Sequence, residues 1–188
     1  MQVALRNKLK YLALLDAIIE PEWECRYYSY NSKWSDTEEM ASLRDSCGGE
    51  WFFLLDENNV SFKCTSPVDG LVDNFDDIKK SVPERFGSFL NESAFSMDQG
   101  SCIWFTENDA WVKLGKNISD LPNPTRIQQM TASDYCQFAE EIFEQKIDQE
   151  IVQSIFDGNF TIGMATKINP TTDLDILQKD ILEIGVNS

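Results

Sequence analysis

The sequence predicts an α+β fold in which an antiparallel sheet of about five strands is covered by helices. Short alternating or continuous apolar runs, which are typical of strands, occupy much of residues 23–114. Helical spacing of apolar residues governs the N-terminus and the whole chain beyond residue 130. With 188 residues and 42% hydrophobic content, the chain is long enough to bury one core without disulfides or metals. We therefore expect one domain over residues 1–188, with residues 130–188 as the segment that offers a separate helical subdomain.

The N-terminal segment is predicted to form a helix from about Val3 to Ile19, which Pro21 ends. Its apolar positions follow helical spacing at Leu5, Leu9, Leu12, Leu15 or Ala13, and Ile19. Basic residues precede the apolar part, as in a signal peptide, but Asp16 and Glu20 interrupt it. The segment is therefore interpreted as a helix of the mature protein.

The next stretch is predicted to run as a strand, a helix and a hairpin. Alternating residues favour a strand over Trp23–Tyr28. Ser35 and Glu38 have the spacing of a capping box, so a helix is expected to start there and to end at Gly48-Gly49. The inward stripe of this helix would be Met40, Leu43 and Cys47.

Two hairpins supply most of the predicted sheet. Trp51–Leu55 pairs with Val60–Cys64 in the first, and Cys102–Phe105 pairs with Trp111–Leu114 in the second. Between them lie a turn-rich acidic loop and a short helix that Pro83 begins. This helix is expected to reach the core through Val82, Phe86, Phe89 and Leu90.

The C-terminal third is predicted to be helical, after a linker or surface loop over residues 116–129. Thr131 or Ser133 caps one helix, and Asp148 caps a second that Gly158 stops. Residues 160–168 fit a helix or a strand. Thr171 or Thr172 is expected to cap a last helix that ends at Gly185.

Composition narrows the classes of function. Thirty-two acidic against 16 basic residues give a net charge of −16, which repels nucleic acid phosphates and anionic membranes. This charge favours a basic protein as partner, and the alternative is that it serves solubility alone. The chain has no histidine, which excludes Ser-His-Asp and Cys-His catalysis and histidine metal ligands. Its five cysteines are widely spaced and contain no C-x-x-C pair, so we expect neither a zinc site nor a disulfide framework, and a reducing cytoplasm is the consistent compartment.

No catalytic residue, metal site or cofactor is assigned from the sequence. The acidic loop over residues 69–77 offers carboxylates to an ion, but their spacing is not that of an EF-hand. Paired carboxylates suit glycoside hydrolysis, yet nothing in the sequence shows which two would face each other. A solvated acidic loop is the simpler interpretation.

One cluster is predicted to bind a partner because aromatic side chains beside Arg and Lys are common in binding hot spots. Its members are Tyr28, Tyr30, Asn31, Lys33, Trp34, Arg44 and Asp45. The structural alternative is that Arg44 pairs with Asp36 or Glu39, or lies at the end of the predicted helix.

Several segments resemble a family of uncharacterised bacterial cytoplasmic proteins with a strand-helix-strand core. The core segments are R-Y-Y-S-Y-N-S-K-W at Arg26–Trp34, E-M-A-S-L-R-D at Glu39–Asp45 and W-F-F-L-L at Trp51–Leu55. The segments V-P-E-R-F-G-S-F-L-N-E-S-A-F-S, C-I-W and the closing E-I-G are also similar, so the resemblance covers most of the chain. It implies a bacterial cytoplasmic protein and transfers no catalytic role.

Two functions from different classes are consistent with these patterns. The first is a non-enzymatic acidic protein-binding domain, analogous to the small immunity or antitoxin-like factors that neutralise a basic partner. The alternative is a carboxylate-based hydrolase or a small-ligand or ion-binding protein with a pocket beside the sheet. The first is preferred because the missing histidine and absent motifs leave few groups from which to build catalysis.

Overall fold

The structure is a computed structural model that describes residues 2–186, and within them the chain forms six strands and eight α-helices. The strands are β1 (Tyr28–Asn31), β2 (Glu39–Arg44), β3 (Glu50–Leu55), β4 (Val60–Thr65), β5 (Cys102–Glu107) and β6 (Ala110–Gly115). They form one antiparallel sheet in chain order, with each strand paired to the next. The predicted α+β class is confirmed, and the sheet has six strands rather than about five.

The helices divide between the two faces of the sheet. The helices are α1 (Gln2–Ile19), α2 (Phe75–Lys80), α3 (Gly87–Leu90), α4 (Pro124–Gln129), α5 (Ala132–Phe143), α6 (Gln149–Phe156), α7 (Ile162–Ile168) and α8 (Leu174–Ile184). Helix α1 and helices α4–α8 cover one face, here called the α1 face, while α2, α3 and short 3-10 turns cover the other. The result is a sheet with helical layers on both sides.

The core on the α1 face is the larger of the two cores. Nine residues of α1 are buried against the sheet and the C-terminal helices. Each of its fully buried leucines contributes about 1.5–3 kcal/mol relative to an exposed position. Helices α5–α8 contribute Tyr135, Val152, Ala165 and Leu177 to this same core. The C-terminal helices therefore pack on α1 and the sheet rather than around a core of their own.

The helix predicted over residues 35–47 is wrong, because residues 39–44 form strand β2. The Ser35 hydroxyl accepts a hydrogen bond from the Glu38 backbone N–H at 3.1 Å, and the Ser35 N–H donates to the Glu38 carbonyl. The first bond matches one of the two in the predicted capping box, but the Glu38 carboxylate accepts from the Ser35 hydroxyl and not from the Ser35 backbone N–H. The contacts therefore close a turn that leads into β2. The strand pairs with β1 on one side and β3 on the other, and this long-range pairing overrides local helical spacing.

The first predicted strand also needs correction. Residues Trp23–Cys25 form a 3-10 turn, and β1 begins only at Tyr28. The Trp23 side chain is 51% exposed, so the alternation seen in the sequence does not correspond to a buried strand face.

The C-terminal predictions agree more closely with the structure. Thr131, one of the two caps that the sequence allows, caps α5 in a capping box with Asp134, and Asp148 caps α6 as predicted. The ambiguous residues 160–168 include helix α7, and helix α4 lies within the segment predicted as a loop. The cap of α8 is Asp173 rather than Thr171 or Thr172, and Gly185 ends that helix as predicted.

Candidate functional site

The structure distributes the seven predicted binding residues over three places. Tyr28 and Tyr30 lie on the α1 face and are each 3% exposed. Asn31, Lys33 and Trp34 lie at the end of β1 and in the connection to β2, where the Trp34 indole N–H donates to a Glu92 carboxylate oxygen at 3.1 Å.

Arg44 and Asp45 lie at the opposite end of β2 from this connection. Asp45 accepts hydrogen bonds from the backbone N–H groups of Cys47 and Gly49, so its carboxylate holds the β2–β3 turn. The Arg44 guanidinium lies 5.5 Å from the ring centres of both Trp23 and Phe52. Arg44 is exposed at the end of a strand, so the predicted contact with a helix C-terminus does not exist. The binding role of these residues stays a prediction.

Of the seven residues, Tyr28 lines a groove of about 530 Å³ between α4 and α5. One wall is α5, which presents Asp134, Gln137, Phe138 and Glu141. These positions are three, four and seven residues apart, so they lie on one face of the helix. The opposite wall includes Arg126 of α4. The groove therefore combines an aromatic floor with charged rims.

The α5 wall is held firmly at its N-terminus. A single oxygen of Asp134, Oδ2, accepts bonds from the Thr131 backbone N–H and hydroxyl, both at 2.7 Å. These bonds hold the pKa of Asp134 below its usual value, so the carboxylate is charged at neutral pH. Its other oxygen, Oδ1, forms no hydrogen bond within residues 2–186.

The floor of the groove is an aromatic cluster. Phe138 meets Tyr27, Tyr28, Tyr135 and Phe143 at ring-centre distances of 5.3–5.9 Å, mostly edge to face. Burial raises the pKa of the Tyr28 phenol well above its ordinary value, although nearby Arg126 acts in the opposite direction. Tyr28 therefore stays neutral and keeps both the donor and the acceptor function of its hydroxyl.

A buried carboxylate connects the floor to the wall. Asp16 of α1 is 0% exposed and accepts bonds from the backbone N–H groups of Tyr27 and Tyr28 and from the Tyr135 hydroxyl of α5. Burial raises the pKa of Asp16 to about 7, against the opposing effect of these three donors and of Arg26. Asp16 therefore fixes β1 and α5, the two elements that bring Tyr28 and Phe138 together.

A second buried charge lies on the other face of the sheet. Lys63 of β4 is 0% exposed, and its Nζ is 3.3 Å from a Glu50 carboxylate oxygen. Burial lowers the pKa of Lys63, and Glu50 opposes this effect. The Lys63 Nζ is also 5.9 Å from the Phe52 ring centre, so this pair is part of the packing between β4 and β3.

The acidic loop uses its carboxylates locally. Asp69 accepts hydrogen bonds from the Ser119 backbone N–H at 2.7 Å and from the hydroxyls of Ser119 and Ser66. Asp76 and Asp77 pair with Lys79 and Lys80. Within residues 2–186, no group of three or more His, Cys, Asp or Glu side chains is arranged to hold a metal ion.

The protein is thus an α+β protein with a six-stranded antiparallel sheet between helical layers and a groove lined by aromatic and charged side chains. Comparisons with protein-family models, with curated proteins and with solved structures gave no match. None of the helices in the described range 2–186 combines the length and the hydropathy of a membrane span.

Sequence reasoning did not identify the α5 side of this groove. The signal was present in the spacing of Asp134, Phe138 and Glu141 on a helix that the sequence predicts. That spacing places the three side chains on one helix face, but the apolar residues of α5, Phe138 among them, were interpreted as the stripe that faces the core. Only the position of α4 and β1 beside that face makes it one wall of a groove.

Proposed function

We propose that this protein is a non-enzymatic binding domain that recognises a basic partner protein, in the manner of an immunity or antitoxin-like factor of the bacterial cytoplasm. One observation carries the proposal: the surface of the C-terminal helices is acidic and largely unpaired. Residues 131–186 contain 11 Asp and Glu against three Lys. All but Asp180 of these acidic residues are exposed.

Few of these carboxylates have a basic partner within the protein. Asp180 pairs with Arg26 at 2.9 Å, and Glu140 pairs with Lys146 at 3.2 Å. The remaining nine have no Lys or Arg nitrogen within ion-pair distance in residues 2–186. Unpaired carboxylates on one helical layer create a negative potential that steers a cationic surface toward that layer.

The charge distribution explains the preference for a protein partner. A negative layer repels nucleic acid phosphates and anionic lipid headgroups, whereas Lys and Arg on a protein surface are attracted to it. The bacterial cytoplasmic setting follows from the resemblance of the R-Y-Y-S-Y-N-S-K-W and M-A-S-L-R-D segments and from the free cysteines.

The experiment is affinity capture from a lysate of the native host with two charge variants. The helical variant replaces Glu144, Glu150, Asp175 and Glu183 with Gln or Asn, and the control variant replaces Glu22, Glu24, Glu57 and Glu84 with Gln. All eight positions lie outside the ion pairs, and all are exposed. We expect a basic protein to be retained at low salt by the wild type and the control variant, and to be lost from the helical variant and at high salt.

Two results would contradict the proposal. If folded wild-type protein captures no basic protein, the proposed basic partner does not exist in that host. An equal loss of capture in both variants would show that total charge, rather than the helical layer, controls association.

A further inference from the structure

We propose that the groove between α4 and α5 receives an arginine side chain of the basic partner, stacked on Phe138 and paired with Glu141. This inference rests on the proposed function and assigns its central contact. Three observations support it: the groove geometry, two carboxylates with unused oxygens, and the Tyr28 hydroxyl, which lines the groove and has no hydrogen-bond partner within residues 2–186.

The α5 wall has the composition that a guanidinium requires. Phe138 lies between Asp134 and Glu141 on one face of the helix, so an aromatic ring is flanked by carboxylates one turn before it and one turn after it. A planar guanidinium stacks on an aromatic ring while its N–H groups donate to carboxylate oxygens beside that ring. Phe138 is fixed by its aromatic neighbours, so the ring needs no reordering on binding.

Glu141 is the carboxylate that is free to accept these donors. Its single hydrogen bond in residues 2–186 comes from the Gln137 amide at 3.0 Å, to the oxygen Oε1. It has no Lys or Arg partner there. Both Oε2 and a second lone pair of Oε1 remain for a bidentate contact.

Tyr28 provides an independent indication of a ligand. Its side chain is 3% exposed and lines the groove, and its hydroxyl forms no hydrogen bond within the described part of the chain. The hydroxyl is open to the groove, so a bound group that donates to it or accepts from it can take the place of solvent there.

Arg126 on the opposite wall determines where the incoming cation lies. Arg126 belongs to α4, which ends only three residues before α5 begins, so Arg126 lies toward the N-terminal, Asp134 end of the α5 wall. Its charge accordingly helps to lower the pKa of Asp134. Glu141 is seven residues further along α5, about 10 Å along the helix axis. A cation is repelled from the Arg126 end and attracted to the Glu141 end, while Arg126 itself remains available to donate to backbone carbonyl groups of the partner.

The test is a titration of the 188-residue protein with acetylated tetra-arginine amide, and with tetra-lysine amide, followed by NMR and calorimetry at low salt. The variants are Glu141→Lys in the groove and Glu150→Lys on α6, two exposed helix positions with the same change in charge. We expect resonances of residues 126–141 to shift and tetra-arginine to bind more tightly than tetra-lysine. Glu141→Lys should weaken tetra-arginine binding by about tenfold or more and Glu150→Lys by less than about threefold. Glu141→Gln should give an intermediate loss with little change in fold.

The outcomes separate this inference from the proposed function. Equal weakening by both lysine variants, or equal affinity for the two peptides, would overturn the arginine site and leave a general acidic surface. Absence of any peptide binding at low salt would overturn both.

Discussion

Asp16 links two elements of the fold through one buried carboxyl group. It is completely buried, yet it bonds to the start of β1 and to α5, which are far apart in sequence. A raised pKa means that folding favours the protonated carboxyl, because the ionised form must be desolvated. Folding stability from this group is therefore fully present below the unfolded pKa and is lost as pH rises through about 7.

The residue-scale prediction concerns the pH dependence of the variant Asp16→Asn, which cannot ionise. We compare the free energy of unfolding of the wild type with that of Asp16→Asn at each pH. The wild-type value minus the variant value should decrease from pH 4 to pH 7 and then level off. A pKa of about 7 in the folded protein, against 3.8 for an unperturbed aspartate, sets an upper limit of about 4 kcal/mol on the total change. Chemical denaturation of both proteins across this range measures it.

The matched control is Tyr135→Phe, which removes one hydrogen bond to Asp16 and leaves a carboxyl that can titrate. It should destabilise the protein by about 0.5–1.5 kcal/mol and retain the wild-type direction of the pH effect. A difference between wild type and Asp16→Asn that does not vary with pH would show that Asp16 does not titrate in this range.

At the scale of elements, helix ends are where local sequence and tertiary contacts act together. Gly185 follows α8 with a φ of 72°, in the left-handed region, and its backbone N–H bonds to the Ile181 carbonyl. A Cβ added at Gly185 would lie 2.7 Å from the Ser32 hydroxyl, in the connection after β1. Gly163 of α7 has no φ in that region, and the nearest atom to an added Cβ is 3.9 Å away.

The element-scale prediction is that alanine has opposite effects at these two glycines. Gly185→Ala should lower the free energy of unfolding by about 1–2 kcal/mol, because alanine strains the left-handed backbone. Gly163→Ala should raise it by about 0.4–1 kcal/mol, because alanine restricts the unfolded chain without a clash. Denaturant midpoints of the two variants test this, and destabilisation of similar size at both sites would contradict it.

At the scale of the whole molecule, the excess of negative charge opposes folding. The net charge is −16, so the excess Asp and Glu side chains repel one another in the folded state, and salt screens that repulsion. Salt also weakens the eight ion pairs found in residues 2–186. Surface pairs contribute only about 0.2–1 kcal/mol each, and several of these are exposed, so the relief of repulsion is expected to dominate.

The whole-molecule prediction is that NaCl raises the thermal unfolding midpoint. For a domain of this size, each gain of about 1 kcal/mol corresponds to about 2–4 °C. The variant with Glu144, Glu150, Asp175 and Glu183 neutralised should start with a higher midpoint at low salt and respond less to added NaCl. A midpoint that falls with salt would mean that the ion pairs outweigh the repulsion.

Elements whose signals are local could be predicted from the sequence. The caps at Thr131 and Asp148, the stop at Gly185 and the two hairpins depend on contacts within a few residues, so their residue types were sufficient to predict them. The acidic character of the surface follows directly from composition, since most charged side chains stay in water.

Features that depend on residues far apart in the sequence could not be predicted in this way. The Ser35 hydroxyl accepts the Glu38 backbone N–H as it would in a capping box, but the Ser35 N–H donates to the Glu38 backbone carbonyl, and pairing with β1 and β3 selects the strand. The groove joins Tyr28 of β1 to Phe138 of α5 across more than 100 residues, through packing that no local pattern specifies. Local signals therefore fixed the secondary structure at helix ends and hairpins, whereas burial and strand pairing between distant segments fixed β2 and assembled the candidate site.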